Sequence, residues 1–442
     1  MSRFLSVVRK FNWLLVLLVA PLLLFPKPGN PWTLALVPLI LLLQALAWRC
    51  ILPATPFNSG ILLLLIATLA SLYATTDLAD SFPKITGLLF GILIFFTIIQ
   101  YGKSENGWKK GLLVFCLLGL GIAGFSLVST RWVIVKFPAL DALTAMLPVR
   151  LTGLEGATEG FQPNEVAGAL LWVFPVIIGI ALANLSSQEN GIHRYKPLLW
   201  QTAYILASFF ILAVLFLTQS RGAYVGLAFA CILAFVLAFP PHIRRLGLGL
   251  LFLAVIIGIS LITITGWQNI SGRVFGTDTS LSTTQGLLDT ITLREQIWSR
   301  AIWGLKDFGL LGMGLNRFRT IFQQLYPSFL IPFDRDIAHA HNELLNAGVE
   351  LGYLGLIAFL SLNFTAAAML WQILQRADRE GENGKSLRWL ALGLGAAWLS
   401  HFIYGLTDAI ALGARPDFLF WFLLALISSL YQISSEKIPI AT

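Results

Sequence analysis

The chain has 442 residues, 57% of them hydrophobic and 12% charged, with a formal net charge of +8. That composition, with a mean hydropathy of +0.78, excludes a water-soluble globular protein. The positive charge is no nucleic-acid signal, because most basic residues fall between apolar runs, where they set membrane topology.

Apolar runs of about 20 residues, the length a membrane helix needs, recur from end to end. They predict an all-α, polytopic membrane protein, one domain over 1–442, with about twelve spans. The spans are read over 11–25, 32–49, 60–76, 83–101, 110–130, 165–184, 199–218, 222–239, 246–265, 343–373, 387–411 and 415–433. The first run follows Arg3, Arg9 and Lys10, but only Pro26-Lys27-Pro28 comes after it. No small-residue cleavage site is evident, so it is read as a span that stays. Cys50, Cys116 and Cys231 lie in or at the ends of apolar runs and form no disulfide framework.

An even number of spans puts both termini on one side. Arg9, Lys109, Arg194, Lys196, Arg244, Arg376 and Arg388 fall on that side, whereas the short opposite loops carry only Lys27, Lys84, Arg221 and Arg415. The medium loop 131–164 adds Arg131, Lys136 and Arg150 to the opposite side. The bias predicts cytoplasmic termini and places loops 131–164 and 266–342 outside. In the first of these loops, Phe161-Gln162-Pro163-Asn164-Glu165 suits a turn and helix cap. In the second, Leu293–Leu305 has Trp298, Ile302 and Leu305 at helical spacing. Asp307-Phe308-Gly309 and Gly312-Met313-Gly314 then break it. A small outer layer of about two short helices is expected, carrying part of the functional site.

Arginines gather on this outer face. Arg221, in Ser220-Arg221-Gly222, sits between two apolar spans with almost no loop. Such an arginine is costly unless it is paired or reaches water. It reads as a snorkelling interfacial residue or as an anion clamp, since its planar fork matches phosphate oxygens. Arg294 reads as an exposed helix arginine paired with Glu295 or Asp289, or as part of the same clamp. Arg317, Arg319 and Arg415 complete a group of five near His339 and His341, and a shared anionic substrate accounts for the group.

The stretch His339-Ala340-His341-Asn342-Glu343 invites three readings. A His-x-His pair is a zinc element, but third and fourth ligands are not evident. His401 and Asp408 are the obvious additions, and they lie on another span. No metal and no cofactor is expected. A structural reading makes Asn342 the N-cap of the next helix, with Glu343 favourable in its first turn. Gly348, Gly352 and Gly355 would let that helix pack closely. The third reading is acid–base chemistry, because histidine's ordinary pKa near 6.5 lets it accept a proton at neutral pH. Transfer of a sugar from a diphosphate carrier needs a base for the acceptor hydroxyl and a charge sink for the departing diphosphate. Histidine and arginine supply both.

Ser220-Arg221-Gly222, Arg294 with Trp298 one turn later, Gly312-x-Gly314 with Asn316, and His341-Asn342-x-Leu344-Leu345 with Glu350-x-Gly352-x-x-Gly355 resemble the O-antigen ligase/O-antigen polymerase superfamily. Pro163-Asn164 resembles that family's element ahead of a span, and the resemblance covers about 160–410. It implies a GT-C-like bundle of about a dozen helices in the bacterial cytoplasmic membrane, with a large periplasmic loop. It implies metal-independent, inverting transfer of a glycan from an undecaprenyl-diphosphate carrier to an acceptor sugar, which in the ligases is the lipid A-core. Carried onto this chain, Arg221 and Arg294 would hold the diphosphate, and His341 would act as base or orient the acceptor. Substrate binding is assigned to His339, Asn342, Arg317, Arg319, Asn164, Arg415 and Asp408. The expected partners are the lipid-linked donor, the glycan acceptor and membrane lipids, with no nucleic acid. Polymerases and protein O-glycosylating transferases share these motifs, as does a branch linked to bicarbonate uptake. A twelve-span secondary transporter is the competing class. Against it, Glu165, Glu343, Glu350 and Asp408 all sit near outer span ends rather than at the midplane.

Overall fold

The computed structural model describes residues 2–27, 29–50, 52–132, 143–144, 146–147, 151, 153, 160–186, 195–265, 291–328, 330–333 and 336–437. Lys136, Arg150, Arg194 and Asp289 lie outside the described residues. Fourteen α-helices are described: α1 (Ser2–Leu24), α2 (Leu36–Trp48), α3 (Asn58–Ala74), α4 (Leu78–Tyr101), α5 (Glu105–Ser129), α6 (Pro163–Ser186), α7 (Tyr195–Leu217), α8 (Arg221–Ala238), α9 (Pro241–Thr265), α10 (Ile291–Asp307), α11 (Phe318–Leu325), α12 (Glu343–Glu380), α13 (Lys385–Tyr404) and α14 (Phe418–Lys437). The chain is an all-α polytopic membrane protein. Among the described residues, nine helical segments are long and apolar enough to cross a membrane. The apolar part of α1 (Phe11–Leu24) and α3 are shorter.

The centre of the bundle is α6, whose Leu170, Trp172, Val173 and Ile177 are buried. It packs on α13, while α4 packs on α14 and α3 on α12. Small residues set the closest approach. A Cβ on Gly179 of α6 would lie 2.7 Å from the Cα of Gly393 in α13, the small-residue contact that lets helix backbones meet in a bilayer. Conversely, α7, α8 and α9 expose Phe209, Phe235 and Phe252. Large apolar side chains uncovered by protein suit a surface facing lipid.

The predicted span 387–411 is shorter than expected. Its helix, α13, stops at Tyr404, and residues 405–414 form an irregular segment. Ala409, Ile410, Ala411 and Leu412 are buried there, so the hydropathy continues after the helix has ended. The predicted Leu293–Leu305 helix appears as α10, extended at both ends. With α11 it builds a second, smaller core from Leu293, Ile297, Phe318, Phe322, Ile337 and Val349.

This small layer is stitched into α12. Gly352 has φ +69° and interrupts the helix, a left-handed conformation glycine adopts without a Cβ penalty. The carbonyls freed by the break accept from the layer: Met313 N–H donates to Val349 (2.8 Å) and Gly314 N–H to Glu350 (3.0 Å). Gly352 therefore breaks the helix and also packs closely, as expected, since a Cβ there would lie 2.8 Å from the Gly309 carbonyl oxygen.

Candidate active site

His341 is held at a fixed point between the small layer and the bundle. Its φ of +47° is left-handed, which costs a non-glycine residue of order 1 kcal/mol or more. Two side chains hold it there. His341 N–H donates to His339 Nδ1 (3.2 Å), and the Trp298 indole N–H donates to the His341 carbonyl (3.1 Å). The next residue caps α12. Asn342 Oδ1 accepts from Leu345 N–H (3.0 Å), the expected N-cap, and its Nδ2 donates to the Leu406 carbonyl (3.0 Å).

Asp408, from the irregular segment after α13, meets the His341 ring. The Nδ1 to Oδ1 distance is 3.0 Å. Three further donors converge on this carboxylate: Asn164 Nδ2 (2.8 Å), Ala409 N–H (3.0 Å) and an Arg294 guanidinium nitrogen (3.4 Å). Burial alone would raise the Asp408 pKa, but His341, Arg294 and His339 outweigh it and hold the carboxyl well below the usual range. An ionised carboxylate only accepts hydrogen bonds. The proton of neutral His341 is therefore on Nδ1, and Nε2 keeps its lone pair. The His341 side chain is 21% exposed and Asp408 only 5%, so a partly exposed imidazole is held by a buried carboxylate.

His339 stands beside this pair, its ring edge-to-face with His341 at 4.5 Å between centroids. Burial and the charges of His341, Lys84 and Arg319 push its pKa down to about 3, with Asp408 opposing. It is therefore neutral near pH 7, its Nδ1 accepting from the backbone of His341.

A second carboxylate–histidine pair lies deeper. His401 Nε2 is 2.7 Å from Glu343 Oε1, and His401 Nδ1 is 2.9 Å from the Gly168 carbonyl. A carbonyl only accepts, so Nδ1 carries a proton and a further single proton lies between Nε2 and the carboxyl. The His401 ring stacks on Trp172 with centroids 3.7 Å apart. Glu343 also accepts from Ile410 N–H (3.2 Å), and its own N–H donates to the Gly405 carbonyl (2.7 Å). Glu343 thus holds the irregular segment on either side of Asp408.

Of the ten residues selected from sequence, the structure brings Asn164, Arg294, His339, His341, Asn342 and Asp408 together. Arg221 opens α8, and Gly222 packs so close to Thr407 that a Cβ would lie 2.6 Å from its Oγ1. Arg221 thus belongs to the same end of the bundle as Asp408. The other three are engaged with neighbours of their own. Arg317 pairs with Asp80 and donates to Thr76 Oγ1 (2.7 Å), tying α11 to the entry of α4. Arg319 pairs with Asp336 at 3.0 Å, both substantially exposed. Arg415 lies over the Phe25 ring at 4.5 Å and donates to the Leu24 carbonyl (3.3 Å).

A support network was not visible in the sequence. Glu350 accepts from Lys84 Nζ (2.8 Å), Asn316 N–H (3.1 Å) and Asn346 Nδ2 (3.2 Å). Asn346 Oδ1 in turn accepts from Ala340 N–H (3.1 Å), between the two histidines. The helical spacing of Asn346 and Glu350 was the available signal, but Lys84 lies 266 residues away.

Residues 206–360 match the family model described as O-Antigen ligase. This match supports the O-antigen ligase superfamily. The matched segment includes Arg221, Arg294, His339, His341 and Asn342, while Asn164 and Asp408 lie outside it. The O-antigen ligase family points to glycosyltransferase-type activity on lipid-linked glycans. No curated protein matches the chain.

Proposed function

We propose that the protein is a glycosyltransferase of the O-antigen ligase type in the bacterial cytoplasmic membrane, with its site on the periplasmic face. It moves a glycan from an undecaprenyl-diphosphate carrier to an acceptor sugar hydroxyl, the lipid A-core being the acceptor. The observation that carries this reading is the His341–Asp408 pair, 3.0 Å apart. It leaves His341 Nε2 unprotonated at a partly exposed position beside Arg294.

His341 Nε2 takes the proton of the acceptor hydroxyl as its oxygen attacks the anomeric carbon. The bond from that carbon to the diphosphate oxygen breaks on the opposite face, so the anomeric centre inverts. The electron pair leaves with the diphosphate, whose charge Arg221 and Arg294 balance. Arg294 uses one nitrogen on Asp408, and a guanidinium has five N–H donors. Asp408 holds the ring in the required tautomer and stabilises the imidazolium that forms, the logic of an oriented base. Asn164 and Ala409 hold Asp408. The arginines supply the charge sink, so the reaction runs without a metal.

The test is reconstitution in liposomes with an undecaprenyl-diphosphate glycan and lipid A-core, read by mass spectrometry with and without EDTA. The expected result is a glycosylated acceptor of inverted linkage, formed equally with chelator. Loss of transfer on chelation, restored by a divalent ion, overturns the metal-free step. Bicarbonate accumulation in the same vesicles without any transfer overturns the enzyme reading.

A further inference from the structure

The His341 nitrogen that holds a proton for Asp408 is also a metal donor, and two more donors stand beside it. Ligand atoms of His339, His341 and Asp408 all lie within 4.8 Å of one another. Two donors on a tetrahedral ion, each at about 2.0–2.1 Å, sit roughly 3.3–3.4 Å apart. The 3.0 Å edge between His341 and Asp408 would have to open by a few tenths of an ångström, and the edges to His339, at up to 4.8 Å, would have to close. Both histidines are partly exposed, which leaves a path for an ion from water. Two imidazoles and one carboxylate, with no thiolate, suit zinc, copper or nickel better than magnesium or calcium. Three protein ligands leave a fourth position open.

The surroundings weaken such a site without abolishing it. Arg294 sits on Asp408, and the charges of Lys84 and Arg319 reach His339. These cations repel a divalent ion, so binding is weaker than in a closed structural zinc site. Asn164 Nδ2 on the other carboxylate oxygen keeps Asp408 oriented in either state, as a metal ligand's outer partner does.

We propose that His339, His341 and Asp408 form a binding site for a divalent transition-metal ion of the zinc type, and that its occupancy switches the transferase off. A metal on the His341 nitrogen facing Asp408 takes the place of the proton there. That proton moves to Nε2, and the lone pair that would accept the acceptor's proton is lost. The switch rests on the reading of His341 as base, whereas the metal site does not.

The two parts are tested separately on the full chain. Chelator-stripped protein in detergent is titrated with zinc by calorimetry and with cobalt by visible absorption, with no donor or acceptor present. One saturable ion per chain and a tetrahedral cobalt band are expected. His339→Gln, whose amide oxygen can still accept the His341 N–H, should weaken binding by roughly tenfold or more. Equal zinc affinity in the two proteins overturns the site. In the transfer assay, saturating zinc should lower the wild-type rate by about tenfold or more. The same zinc should change the His339→Gln rate by less than about twofold, each protein measured against its own metal-free rate. A wild-type rate that rises with zinc overturns the switch. Specific zinc binding by a protein with no transfer activity sinks the proposed function and supports the site.

Discussion

Among the described residues, two carboxylate–histidine pairs stand at one end of the bundle, and they differ in how much of each histidine is left open. In the deep pair, Glu343 and His401 are 9% and 4% exposed, and both ring nitrogens of His401 are engaged. In the outer pair, Asp408 is equally buried, but His341 is 21% exposed and Asp408 meets only its Nδ1. A histidine with both nitrogens engaged fixes a fold, whereas one held by a single nitrogen can move a proton. The deep pair then serves the outer one, because Glu343 binds Ile410 and Gly405 on either side of Asp408.

The largest effect should come from removing His341, the proposed base. His341→Ala is expected to lower glycan transfer by about 10²–10⁴-fold, the range for a general base. Size-exclusion elution and thermal unfolding should stay close to wild type. Transfer at the wild-type rate would reverse the division between the two pairs. Asp408→Asn comes next, with a loss of about 10²-fold or more. Its amide can donate to His341 Nδ1, which would drive the ring proton to Nε2 and block the base. Because the two residues act as a unit, the double variant should be hardly slower than His341→Ala.

The deep pair should answer through stability instead. His401→Ala leaves Glu343 without its buried partner and opens a space against Trp172, a loss of about 3–5 kcal/mol by analogy with broken buried pairs. Glu343→Gln keeps a hydrogen-bonding group of the same shape and should cost no more than about 1 kcal/mol. Denaturant unfolding in detergent distinguishes them. Equal losses would mean that the shared proton, and not the packing, holds the segment.

The contrast also explains how much the sequence could say. Helices were legible because a span needs about 20 apolar residues in a row, and a cap such as Asn342 acts on its own neighbours. His341 stood out because it lies in a short motif. Its orienting partner lies 67 residues on and Asn164 is 244 residues from Asp408, and no local pattern reports such pairs. The arginines show the limit clearly. Their positions gave the end of the bundle, yet Arg317 and Arg415 bind Asp80 and the Leu24 carbonyl. The end of α13 was missed because buried apolar residues continue past it. The break at Gly352 was missed because helical periodicity runs straight through.

His339 gives the most specific effect, since among the described residues it stands beside the outer pair alone. Its pKa falls from the ordinary 6.5 to about 3 on folding. Between those values the unfolded chain holds a proton that the folded chain does not. Stability from this group is therefore complete above the unfolded value and is lost as the pH falls towards the folded one. The wild-type unfolding midpoint should drop between about pH 6.5 and pH 4, and His339→Gln, with nothing to titrate, should flatten that drop. Asp408 loses stability in the same direction, but only below the ordinary carboxylate range, so the two contributions separate along the pH axis. A midpoint equally acid-sensitive in His339→Gln would assign the slope to other groups and leave His339 outside the electrostatics of the outer pair.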